Sequence, residues 1–279
     1  MRLPIGLCAQ LACIWEVTAR KPGNVHRYRD FPDLHFTDFL TSAAVVAPIL
    51  DRAVRRSVGA TVVDAIRATR QVVATNVNLG IVLLLAPLAK APRRTKLRSG
   101  VEAVLAKLDL EDSRQVFEAI RMANPGGLGR VAEEDVQGEP TRPLREIMAI
   151  AAERDLIARQ YANGFQEVFD DGLPALLEGM KQTKDLEEAI ILCHLHLLAK
   201  HPDSLIQRKC GREEAEEASL KAGQVLDAGW PKGQRAVELF QEFDAWLGEK
   251  GNRRNPGTTA DLVTACLFAA FRDELIPFK

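Results

Sequence analysis

The chain has 279 residues, 47% of them hydrophobic, and its 37 basic and 38 acidic side chains give a formal net charge of -1. That length and apolar content support a sizeable core, and the balanced charge gives no argument for a general nucleic-acid or membrane-surface binder. Five scattered cysteines without a CxxC pair argue against a disulfide framework and structural zinc, and point to a reducing cytoplasm.

The start of the chain lacks the apolar core and cleavage site of a secretory signal, and Leu3 to Thr18 reads as a first helix closed by Lys21-Pro22-Gly23. Phe36 to Arg56 follows, with Phe36, Phe39, Leu40, Ala43 and Ala47 on one face, and Ala60 to Ala74 repeats the spacing of three and four. Leu79 to Lys90 is apolar nearly all round and predicts a buried central helix. Its apolar run, Ile81 to Ala89, is too short to span a bilayer. Residues 97–108 and 112–123 read as shorter amphipathic helices, and the polar stretch from Asn124 to Arg142 as the longest loop. Leu144 to Phe169 reads as one long helix, on which Asp155 and Arg159 are spaced to pair. Further helices are expected near 173–181, 185–200, 212–227, 233–249 and 257–275. His194 and His196 lie two apart on a helix and so face apart, making poor joint metal ligands. No stretch alternates with period two between hairpin turns, and no repeat or composition shift marks a boundary. The expectation is an all-α chain, a single multi-helix domain over residues 1–279 with about ten to twelve helices.

Three short polar loops stand out: Lys21-Pro22-Gly23-Asn24-Val25-His26, Thr75-Asn76-Val77-Asn78-Leu79-Gly80 and Asn255-Pro256-Gly257-Thr258-Thr259-Ala260-Asp261. Two lead directly into apolar helices. Small residues, Asn and Thr at a helix start leave backbone N–H groups free to meet an anion, so three such loops suggest a phosphate-holding protein. Asn255 is placed as an N-cap with Pro256 at the first helical position. Glu16 sits in an apolar helix, where an unpaired carboxylate would be costly. Asp261, in the first turns of the last helix, is either a partner of the helix dipole or a ligand for phosphate-bound magnesium. None of GxxxxGK[ST], GxGxxG, GxSxG or HExxH occurs, so phosphates are not held by a P-loop.

Taken in order, these loops resemble the ATP:dephospho-CoA triphosphoribosyltransferases, also called triphosphoribosyl-dephospho-CoA synthases. The resemblance runs from Glu16-Val17 and Lys21-Pro22-Gly23 through Phe39-Leu40-Thr41-Ser42-Ala43-Ala44, Asn76-Val77-Asn78-Leu79-Gly80 and the segment 153–159 to Pro256-Gly257-Thr258-Thr259-Ala260-Asp261-Leu262. It implies an all-helical enzyme that moves a triphosphoribosyl group from ATP to a hydroxyl of dephospho-CoA and releases adenine. It also implies Glu16 or Asp155 as catalytic base and Mg2+ on Asp155 and Asp261. The substrates, ATP and a cofactor precursor, would lie against Lys21, Gly23, Asn76, Asn78, Gly80, Arg159, Gly257 and Thr258. Neither nucleic acid nor membrane is an expected partner, and self-association is left open. The chain departs from the family in two places: Asn78-Leu79-Gly80 stands where His-Lys-Gly is usual, and Glu153-Arg154-Asp155 with Arg159-Gln160-Tyr161 replaces an Asp-Asp-Thr-Asn segment and Arg-Gly-Gly. A transferase of another pathway, such as one-carbon or pterin-type cofactor synthesis, a non-catalytic nucleotide-binding protein and a helical scaffold are the alternatives.

Overall fold

The computed structural model describes residues 2–126, 129, 131 and 133–276. Among them are fourteen α-helices and no β-strand, a few more helices than expected and the all-α class that the periodicity requires. Two isolated bridges, His26 with Arg29 and Phe31 with Leu34, are the extended pairings among the described residues.

The core is built on two helices. One, α4 (Leu79–Lys90), buries every residue from Ile81 to Ala89, as its all-round apolarity demands. The other, α14 (Gly257–Arg272), is buried from Thr258 to its end except at Asp261. Its Ala, Thr and Cys side chains are small enough for neighbours to approach closely. Around this pair pack α1 (Ile5–Thr18), α2 (Phe36–Leu50), α3 (Val58–Arg70), α5 (Leu97–Leu105) and α8 (Leu156–Asn163). Buried Arg272 donates to the carbonyls of Ala91 (3.2 Å) and Pro92 (2.9 Å), placing a cation at the C-terminal end of α4. A second apolar cluster joins α10 (Leu186–Lys200), α12 (Arg212–Asp227) and α13 (Gln234–Gly248) through Leu195, Leu198, Ala218, Val225 and Phe243. The remaining helices are α6 (Leu110–Ala123), α7 (Leu144–Ala151), α9 (Leu173–Thr183) and α11 (Ser204–Cys210). No described helix is long and apolar enough to cross a membrane, and all five cysteines are free.

Two local expectations are corrected. The stretch from Leu144 to Phe169 is not one helix: α7 stops at Ala151, Asp155 adopts an extended backbone and caps α8, and Gly164 ends α8 in the left-handed region at φ 74°. A π-helical turn, Glu167–Gly172, follows. The capping side chain of Asp155 accepts from the amides of Ile157 (2.8 Å) and Ala158 (3.0 Å), which satisfies helix-start donors that a continuous helix would have used internally. At α14 the cap position is Pro256 rather than Asn255, whose carbonyl instead accepts from the Gly257 amide (2.8 Å). The Asn255 side chain turns to Asn24, whose Nδ2 donates to its Oδ1 (2.6 Å). The long polar loop falls partly outside the described residues, including Gly127, Leu128 and Arg130.

Candidate active site

Four helix starts meet at one place. Asp203, fully buried at the cap of α11, accepts from the amides of Leu205 (2.8 Å) and Ile206 (3.0 Å) and from the amide (2.7 Å) and hydroxyl (2.8 Å) of Thr259. One carboxylate thereby clamps α11 to the first turn of α14. Ser204 extends the tie, donating to Thr258 Oγ1 (3.1 Å) and accepting from the Leu156 amide at the start of α8 (3.3 Å). The start of α4 completes the set, with Asn76 Oδ1 accepting from the Leu79 amide (3.2 Å) and Asn78 Nδ2 donating to Thr69 Oγ1 (2.9 Å). Their positive dipole ends share one wall.

That wall belongs to a cavity of about 790 Å³. All four segments singled out in the sequence contribute to it: Asn24 and Val25, Thr75 to Gly80, Arg154 and Asp155, and Asn255 with Gly257 to Asp261 apart from Thr259. Glu16 lines it too. Phe117, Ile120, Val136, Ile147 and Met148 give it an apolar flank. Buried Asn24 Oδ1 and Thr75 Oγ1 have no hydrogen-bond partner, so the polar wall carries unused acceptors.

Asp261 is the partly exposed exception on α14, and its carboxylate makes no hydrogen bond or ion pair among the described residues. Burial first, then the carboxylates of Glu16, Asp203 and Asp155, push its carboxyl well above the usual range, against the opposing pull of Arg208. Gly80 makes room for it, since a Cβ on Gly80 would lie 2.0 Å from Asp261 Oδ2. Glu16, 4% exposed, pairs with Lys21 Nζ at 2.9 Å; burial raises its carboxyl and Lys21 opposes that rise. Asp155 holds α8 with one oxygen and faces Arg208 Nη1 with the other at 3.5 Å.

Three expected positions do not line the cavity. Lys21 is fully buried, and its ammonium is taken up by the Glu16 carboxylate and the carbonyls of Glu16 and Ala19. Gly23 gives its amide to Asp244 Oδ1 (2.7 Å), where Arg29 also binds Asp244 and clips the loop onto α13. Arg159 does not pair with Asp155; its Nε donates to the Ala152 carbonyl (3.0 Å) and Nη1 lies 4.0 Å from Glu167. The break before α8 is the reason, because it turns the Asp155 side chain back along the helix start. The replaced segment Arg159-Gln160-Tyr161 faces inward, with Tyr161 donating to the Leu83 carbonyl (2.6 Å), so that departure lies away from the cavity. Leu79 does line it, a neutral side chain at the position where the resemblance implied Lys. Cations arrive instead from Arg70, Arg154, Arg208 and Lys209, which sequence reading missed. Arg208 and Lys209 sit on the seven-residue α11, too short for a periodic signal; Asp203-Ser204 as a cap was the available clue.

The described residues contain no group of three or more His, Cys, Asp or Glu side chains arranged to hold a metal. Two carboxylates of hard oxygen character, Asp155 and Asp261, do face the cavity.

No curated protein matches the chain. A crystal structure of a candidate triphosphoribosyl-dephospho-CoA synthase from Archaeoglobus fulgidus is similar over 83% of this chain and 97% of its own, with 30% sequence identity and a TM-score of 0.63. A family model described as ATP:dephospho-CoA triphosphoribosyl transferase matches residues 3–278, and the chain belongs to that family.

Proposed function

We propose that the cavity binds ATP and dephospho-CoA and transfers the triphosphoribosyl group from the first to the second. The observation that carries the reading is the meeting of Glu16, Asp155 and Asp261 on a wall made of four helix starts, in a chain of this family. An acceptor hydroxyl attacks C1′ of the ATP ribose. The new C1′–O bond forms as the C1′–N9 bond breaks, adenine leaves with the bonding pair, and the hydroxyl proton passes to a carboxylate. Glu16 suits that step best: Lys21 favours its ionised form, while burial makes it a stronger base than an exposed carboxylate. Asp155 is the weaker candidate, since both its oxygens are engaged.

Asp155 and Asp261 fit magnesium. Asp261 has no protein partner and is crowded by like charges, a deficit a divalent cation cancels. When bound there, the ion would neutralise charge on the triphosphate, whose oxygens and water would complete its shell. The apolar flank suits the flat or hydrocarbon parts of the substrates. The dipole ends and cavity cations hold the phosphates.

The test is free adenine, followed in mixtures of protein, ATP, magnesium and dephospho-CoA. Acceptor-dependent release that disappears in Asp261→Asn, with the fold intact, is expected. ATP binding without adenine release from any acceptor would instead leave a nucleotide-binding protein, and full activity in both Asp155→Asn and Asp261→Asn would reject the site assignment.

A further inference from the structure

The phosphate anchors that the sequence pointed to are otherwise engaged. Lys21 neutralises Glu16, Arg159 turns to Ala152 and Glu167, and position 79 is Leu. A triphosphate brings several negative charges, which helix dipoles equivalent to about half a charge each do not balance. Four cavity cations remain. Arg70 and Arg154 each give an N–H to a carbonyl one turn away, of Ala74 and Ile150. Arg208 and Lys209 differ from them.

Lys209 lines the cavity and is partly buried, and its ammonium makes no hydrogen bond or ion pair among the described residues. Its backbone is held, because Arg253 Nη2 donates to its carbonyl (2.8 Å). Arg208, with 29% of its side chain exposed, has one ion-pair partner among the described residues, Asp155 Oδ2, at a loose 3.5 Å. Asp33, the acidic group across from Lys209, already accepts from Asn252 Nδ2 (2.6 Å). The helix carrying both cations is fixed to α14 by the two Thr259 donors on Asp203, whose other oxygen caps α11 itself, so both side chains stand on a rigid support.

We propose that Arg208 and Lys209 form the polyphosphate anchor of this cavity, a subsite for the phosphate chain of a nucleoside triphosphate. The proposal rests on the ATP reading above and adds which residues read the phosphates. Arg208 supplies the planar fork that matches a phosphate edge, and Lys209 a point charge. Their position on α11 replaces the charge absent at Leu79. Arg208 also bridges the anchor to Asp155, tying phosphate binding to the carboxylate pair.

Binding of ATP, ADP and AMP, each with magnesium, is measured by calorimetry on the full chain and on Arg208→Gln, Lys209→Met and the double variant. The wild type is expected to prefer ATP over AMP. Each single change should weaken ATP binding about tenfold while AMP stays within about twofold, and the double variant should lose the preference. Arg208→Lys, which keeps the charge and loses the fork, should recover part of it. ATP affinity should fall with added salt more steeply in the wild type than in the double variant. Both side chains are partly exposed and carry no buried hydrogen bond, so thermal unfolding of the variants should match the wild type; Lys209→Gln replaces Lys209→Met if it does not. A wild type that prefers ATP alongside variants that keep this preference overturns the anchor and leaves the ATP reading standing. A wild type that neither prefers ATP nor releases adenine removes the ATP reading, and the anchor with it.

Discussion

Replacing Gly80 with Ala isolates the role of Asp261 without touching its charge. A Cβ at residue 80 would lie 2.0 Å from Asp261 Oδ2 and 2.6 Å from its Cγ, where ordinary contact begins near 3.4 Å. The carboxylate must retreat by about 1.4 Å to reach that contact. It has no protein hydrogen bond to lose in doing so. The retreat costs roughly the 0.5–1.5 kcal/mol of an off-rotamer side chain. Alanine in place of glycine in a helix returns about 0.5–1 kcal/mol. The two nearly cancel, so the melting temperature should move by no more than about 4 °C. Activity should not be spared. A reacting or metal-holding group misplaced by about 1 Å loses on the order of a hundredfold in rate. Adenine release by Gly80→Ala should therefore fall about that far while the protein stays folded. The double variant Gly80→Ala, Asp261→Asn should be no slower than Asp261→Asn, because both changes act through one group. Near wild-type turnover in Gly80→Ala, with Asp261→Asn inactive, would refute the steric reasoning, and so would a collapse of the fold.

Lys21→Met should leave the Glu16 carboxylate buried without its counter-ion and destabilise the protein by about 3–5 kcal/mol in urea, with Glu16→Gln in the same chain restoring much of the loss. Equal unfolding of the single and double variants would show that the pair contributes little. Asp203→Ala strips four donors of their acceptor and should cost at least about 3 kcal/mol, read as a lower urea midpoint and as loss of protection at the starts of α11 and α14. His26 supplies a pH dependence. Burial, then Arg29, lowers its imidazolium to about 4 from an ordinary 6.5, so the folded state binds its proton less readily than the unfolded chain. The stability it supports is complete above about pH 6.5 and declines as the pH falls towards 4. His26→Gln should flatten the fall in urea midpoint between pH 7.5 and 5, and parallel falls in the two proteins would exclude this histidine as the cause.

Periodicity alone determined that the chain is helical. The all-apolar run from Ile81 to Ala89 fixed α4 as a central helix before any partner for it was known, because such a segment finds no solvent-facing side. The polar loops at 75–80 and 255–261 likewise announced helix starts in the sequence. Their meeting, with Asn24 and Asp155, in one cavity required the tertiary structure, since nothing local says that residues so far apart in the chain touch. Lys21 illustrates the limit: a lysine after a helix looks like a surface charge, yet the fold places it in the interior against Glu16. Asp155 and Arg159 have the spacing of a helical pair, and a helix start falling between them and the preceding turn sends each to a different partner. Arg208 and Lys209 left no periodic signal to read, for α11 is too short to show one, and its attachment to α14 depends on a carboxylate that binds Thr259, 56 residues away in sequence. Local composition and spacing set the elements; which side chains share a solvent-free space, and so neutralise or expose one another, is decided only when distant helices pack.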